Sequence, residues 1–159
     1  MRTGFIAVLG EGVRVTVTER PNADANQQVH DSDLRLLVNG LFEAGAEAVA
    51  VNNQRITNLT YIRKGGDAIR INDVGVVGPY VVEAIGDRRT LSARLFDTAT
   101  GLAFAGTAEF EGFTYTVDNV AELRLPAAPL GGLRLRSAST DLGTGVRDDT
   151  NTVGKEVGP

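Results

Sequence analysis

The sequence predicts an α+β domain, with two helices packed on one face of a mainly antiparallel sheet in the order β-α-β-β-β-α-β-β and a ferredoxin-like core. Three observations carry that expectation. Val13, Val15 and Val17 alternate with Arg14, Thr16 and Thr18, the period-two signature of a strand with one wet face. Leu34, Leu37, Val38 and Leu41 recur at i, i+3, i+4 and i+7, which stacks four large apolar side chains on one helix face. In AEAVAVN, Val49 and Val51 point one way and Ala46, Ala48 and Ala50 the other, so both faces of a strand are apolar enough to bury.

Taken in order, the first strand lies in GEGVRVTVTER, and PNADANQQ (21–28) follows as an exposed loop without a large apolar side chain. Asp31 is the expected N-cap of the first helix, Asp33 adds favourable charge at the positive end of its dipole, and Gly45 supplies a left-handed stop. The alanine-valine strand comes next and ends in Asn52, Asn53, Gln54 and Arg55. Four polar groups at the end of a buried strand must find partners. Tyr61-Ile62 and Ala68–Asn72 form a hairpin turned at Gly65-Gly66, with Ile69 and Ile71 on one face. Pro79 opens a second interior strand, in which Tyr80, Val82 and Ala84 face one side and Val81 and Ile85 the other. Asp87 caps a helix carrying Leu91 and Leu95. Gly101–Phe110 reads as a broken helix. Phe113, Tyr115 and Val117 alternate with threonines as a strand, Asp118-Asn119 turns it, and Glu122–Leu125 returns as its partner. Leu133-Leu135 is a candidate last strand. Residues 1–136 form one domain, and 137–159, rich in Gly, Thr and Asp, form a flexible tail.

Composition narrows the function classes. At 159 residues with 42% apolar content, the chain suits one core. A net charge of −4 without a basic cluster argues against nucleic-acid binding. With no cysteine there is no disulfide, thiolate nucleophile or cysteine-held metal. No run approaches the ~18 apolar residues that would span a bilayer.

Each candidate site has a structural reading beside it. His30, Asp31 and Asp33 hold one imidazole and two carboxylates, yet a capped helix start explains them, and no metal is expected. Gly10-Glu11-Gly12 precedes a strand, not a helix, and so lacks the N–H cradle of a phosphate loop. Glu83 and Asp87 are a weak carboxylate pair, and no nucleophile has an evident base, so no catalytic residue, enzyme activity or cofactor is expected. Asn52, Asn53, Gln54 and Arg55 are the candidate binding residues. They would offer amides and a guanidinium to a carboxylate or peptide, or tie the strand end to a neighbouring turn, and the structural role is favoured.

The blocks VHDSDLRLLVNGLFEAGAEAVAVNNQRIT, GPYVVEAIGD and ELRLPA, in this order and spacing over about residues 10–136, resemble the bacterial family catalogued as domain of unknown function 881 (DUF881). The resemblance implies a domain carried behind a transmembrane helix and a coiled coil, facing the outside of the cytoplasmic membrane, in gene neighbourhoods of cell division and envelope growth. It supplies no catalytic residues. The anchor is absent from this chain, so membrane contact is expected only through it. The expected role is a non-catalytic extracytoplasmic interaction module with a protein partner or a homodimer formed through a sheet edge or helix face; the alternative is a small-ligand (anion) sensor built on Asn52–Arg55 and a helix N-terminus.

Overall fold

The computed structural model describes residue 4 and residues 6–129. The candidate strand at Leu133-Leu135 and the tail from 137 lie outside them. The chain runs β1 (Val8–Thr18), α1 (Asp31–Glu43), β2 (Ala48–Val51), β3 (Gln54–Arg55), β4 (Ile62–Gly65), β5 (Ala68–Ile71), β6 (Val74–Val76), β7 (Tyr80–Ile85), α2 (Leu91–Leu95), α3 (Ala99–Glu111) and β8 (Thr114–Leu125). Strands β3-β2-β7-β1-β8 make a five-stranded antiparallel sheet, and β4-β5-β6 make a smaller one. The α+β class and antiparallel pairing are as expected. Because β7 lies between β1 and β2, the β1-α1-β2 unit is split, and α1 can cover the strands from one side.

The unit from α1 into β2 is built as its residues dictate. Leu34, Leu37 and Leu41 are fully buried and Val38 nearly so, each contributing about 1.5–3 kcal/mol of apolar burial. They pack with Val13, Val15, Val17, Val49, Val51 and Val82 into the larger core, on the helical side of the sheet. On the opposite face Ala48, Ala50, Ile85, Leu123 and Leu125 form a second cluster. The valine and alanine faces of β2 are therefore both enclosed, in different clusters. Gly45 ends the helix with φ +108°. One detail differs: the N-cap is His30, and Asp31 is the first helical residue. Asp33 makes that start work, since its Oδ2 accepts from the His30 backbone N–H at 2.7 Å.

At β8 the structure departs from the expected hairpin. The chain passes straight through Asp118 and Asn119, which pair with Arg14 and Val13. Ten paired positions with β1 along this twelve-residue strand outweigh the local turn preference of Asp-Asn. Between Gly10↔Leu123 and Gly12↔Val120 the register shifts, leaving one extra residue on β8. This bulge exchanges faces. Tyr115 and Val117 pack on the helical side, while Leu123 and Leu125, of the same parity, enter the second cluster.

Three helices are present among the described residues, where two were expected. Asp87 caps none of them: its Oδ1 accepts from Arg89 N–H in the turn ahead of α2, whose N-cap is Thr90. The stretch read as a broken helix is the continuous α3. Thr98 caps it, the hydroxyl accepting from Gly101 N–H at 2.9 Å and donating to the Leu95 carbonyl at 2.7 Å, and Gly112 ends it at φ +85°. Removing that hydroxyl in Thr98→Ala is expected to cost about 1 kcal/mol, measurable by urea denaturation. The Gly65-Gly66 turn sits one residue later, at Gly66-Asp67, since Gly65 pairs with Ala68. Two Asn-led turns set the remaining hairpins: Asn52-Asn53 (φ 45° and 64°) joins β2 to β3, and Asn72-Asp73 (φ 51° and 65°) joins β5 to β6.

Candidate functional site

The four polar residues after β2 do not converge. Asn52 and Asn53 are the turn itself, and the Asn52 side chain is tied back, its Oδ1 accepting from Val81 N–H at 2.7 Å. Gln54 pairs through its backbone with Val51. Arg55 lies opposite Ala50 and is 3% exposed. Its carbonyl accepts from Asn72 Nδ2 at 2.8 Å. The guanidinium Nη1 donates to the Ile6 carbonyl at 3.0 Å and the Pro126 carbonyl at 3.2 Å, fastening the segments just before β1 and just after β8 to β3.

Arg55 is nevertheless unusual. Its Nε is buried without a hydrogen-bond partner, and no carboxylate pairs with it among the described residues. Burial pulls its pKa below the ordinary arginine value, although a guanidinium stays charged. An uncompensated buried cation is costly unless something else meets it. Arg55 also lines a groove of about 620 Å³ between α1 and the 56–60 loop. Val38, Phe42, Ile56 and Ile62 supply apolar wall, and Asn39, Thr57, Asn58 and Thr60 supply donors and acceptors. Asn39 and Phe42 were not singled out in the sequence. Their exposed places beside the buried stripe of α1 became informative only once the loop lay opposite.

The anion seat expected from a helix N-terminus is elsewhere. The start of α1 borders a separate cavity with Lys64 and Tyr80. There Asp31 is a structural anchor: its Oδ2 accepts from Arg35 Nη1 at 3.0 Å and Lys64 N–H at 3.1 Å. Burial pushes its carboxyl up, but these bonds and the Arg35 charge outweigh it and hold the pKa below 3.8.

His30 and Asp33 gain a third member that sequence reading missed, Glu111 at the end of α3, with His30 Nδ1 3.4 Å from Glu111 Oε2 and 3.5 Å from Asp33 Oδ2. Such a trio has the ligand types of a divalent-metal site. Its evident work is to join the two helix ends. Burial, then the neighbouring Asp33 carboxylate, raise the Glu111 pKa above 4.5, with His30 pulling the other way. A carboxyl whose folded pKa is raised stabilises the fold while protonated, and that contribution is lost as pH rises through the raised value. Glu111→Gln is therefore expected to leave stability unchanged or higher at neutral pH and to flatten its pH dependence above 4.5, as read from denaturation midpoints across pH. Glu83 and Asp87 form no pair, since Arg14 bonds Glu83 at 2.9 Å and Arg89 bonds Asp87.

Comparison with known proteins gives a consistent result. A family model described as "Bacterial protein of unknown function (DUF881)" matches residues 1–137. The UPF0749 protein YlxW of Bacillus subtilis is 38% identical over 92 residues, covering 55% of this chain and 40% of the relative. The UPF0749 protein Rv1823 of Mycobacterium tuberculosis is 35% identical over 108 residues, covering 60% and 34%. The matched part thus spans well under half the length of these relatives. A crystal structure of an uncharacterized conserved protein from Mycobacterium tuberculosis superposes with a TM-score of 0.66 at 22% identity, covering 86% of this chain and 92% of the other, which shows a shared fold.

Proposed function

The chain belongs to the DUF881 family of bacterial proteins of unknown function, and from that premise we propose that it is a non-catalytic interaction module. In this reading it sits on the outer face of the cytoplasmic membrane, held by an anchor outside this chain, and serves cell division or envelope growth by binding a protein partner or a second copy of itself. No helix among the described residues is long and apolar enough to cross a membrane.

The observation that carries the reading is β8. Twelve residues long, it stands at the margin of the main sheet with β1 on one side and no strand on the other among the described residues. An edge of that length offers backbone N–H and C=O groups to an added strand. Only the bulge and scattered charges at Asp118, Glu122 and Arg124 restrain it. The test is sedimentation of the protein across concentration, with Thr114→Lys/Thr116→Lys, both at exposed positions, as the blocked edge. Reversible association lost in the lysine variant supports the reading. A strictly monomeric chain, together with no partner cross-linked to the full-length protein at the cell envelope, contradicts it.

A further inference from the structure

We infer that His30, Asp33 and Glu111 form a binding site for a divalent transition-metal ion of the zinc class, which clasps the start of α1 to the end of α3. The inference goes beyond the interaction module and does not depend on it. A helix cap explains His30 and Asp33, but it does not explain Glu111, which the fold brings from 81 positions away to the same point. The three are not a patch of surface acids. One is an imidazole, the single histidine of the chain, and the Asp33 side chain is only 3% exposed. One ring nitrogen with two carboxylate oxygens suits zinc and its neighbours in the transition series, whereas magnesium and calcium prefer oxygen alone.

Distances carry the argument. His30 Nδ1 stands 3.4 Å from Glu111 Oε2 and 3.5 Å from Asp33 Oδ2, and the donor atoms of the trio all lie within 4.8 Å of one another. Both contacts are longer than the ~2.7–2.9 Å of a charge-assisted hydrogen bond. They match the edge of a coordination tetrahedron, since ligands about 2.0–2.1 Å from a zinc ion stand roughly 3.3–3.4 Å apart. The donors are also held in place. At the other ends of the two helices a Cβ on Gly40 would stand 3.1 Å from the Gly101 backbone nitrogen, so α1 and α3 run antiparallel in close contact and fix the pair of ends that carries the trio. Asp33 Oδ2 is oriented by the His30 backbone N–H at 2.7 Å, a bond that uses one lone pair and leaves another for a metal. A cavity of about 560 Å³, lined by His30 and Glu111 with Asn26, Gln27 and Glu109, gives an ion its entry and a water molecule the fourth position. Asp33, Glu109 and Glu111 set their carboxylates here against one guanidinium, that of Arg20, which packs over Gly112.

The experiment is a titration of the intact chain, free of any polyhistidine tag and stripped of metal with a chelator, with zinc, cobalt(II) and magnesium chlorides, followed by calorimetry, by the cobalt d–d spectrum and by nitrogen NMR of the single imidazole. One zinc ion per chain is expected, with Nδ1 as the shifted ring nitrogen, a four-coordinate cobalt spectrum, and magnesium at least about tenfold weaker. Saturating zinc should raise the unfolding midpoint by at least about 4 °C. His30→Asn keeps a good N-cap residue and Glu111→Gln keeps the shape of the side chain, so both are expected to fold without metal. Each should weaken zinc at least about tenfold and lose the cobalt spectrum. Glu109→Gln, in the same cavity but outside the trio, should stay within about threefold of the parent. Absence of saturable zinc binding, no shift at Nδ1, equal binding of magnesium, or unchanged affinity in His30→Asn and Glu111→Gln would each overturn the assignment.

Discussion

Gly12→Ala is expected to be among the most destabilising single-methyl changes this fold can suffer, costing at least about 3 kcal/mol. A Cβ on Gly12 would stand 1.8 Å from the Ala84 carbonyl oxygen and 2.8 Å from its carbon. Those are backbone atoms of β7, paired to β1 in the middle of the sheet, so neither side can yield without breaking the ladder. The position also neighbours the β8 bulge, which a displaced β1 would lose. Gly106 is the matched control. Nothing lies within 4 Å of a Cβ built there, and replacing a mid-helix glycine by alanine should gain about 0.5–1 kcal/mol. Urea denaturation of both variants checks the pair; a Gly12→Ala protein within about 0.5 kcal/mol of the parent would refute the close strand approach.

Phe104→Ala should cost about 3–5 kcal/mol. Phe104 is fully buried and is the largest such side chain, with its ring centroid 5.1 Å from Tyr115 and 5.8 Å from Phe113. It joins α3 to the helical face of β8, so its loss removes apolar area, two aromatic contacts and the fit between layers. Phe110, on the same helix but 90% exposed, should change monomer stability by no more than about 0.5 kcal/mol when cut to alanine. Thermal unfolding of the two variants separates them, and similar losses from both would mean that α3 is turned the other way about its axis.

These two sites also show what the sequence could and could not disclose. α1 and β2 were legible because apolar spacing, acidic first turn and terminal glycine all agree, and β2 is buried on both faces as its residues require. α3 was not, because Leu102 and Phe110 are exposed while Phe104 and Ala108 are buried; apolar residues all round a helix erase the periodicity that would reveal it. β8 was misread as a hairpin because Asp118-Asn119 is a turn pair locally, and only long-range pairing with β1 keeps it extended. The two shortest strands, β3 and β6, went unrecognised, although Asn52-Asn53 and Asn72-Asp73 are hairpin signals in plain view. At the candidate site, Arg55 was identified without its setting. Its partners at Ile6 and Pro126 stand 49 and 71 positions away, and Glu111 stands 81 from His30, separations that only topology bridges.

The open margin of the sheet is tested most directly by amide hydrogen exchange along β8 at increasing protein concentration. Amides bonded to β1 should be protected at every concentration, and the alternate, outward amides between Thr114 and Asn119 should gain protection only as the concentration rises. Outward amides that exchange at one rate throughout, or that are fully protected in dilute protein, would show that β8 is not the surface through which copies or partners join.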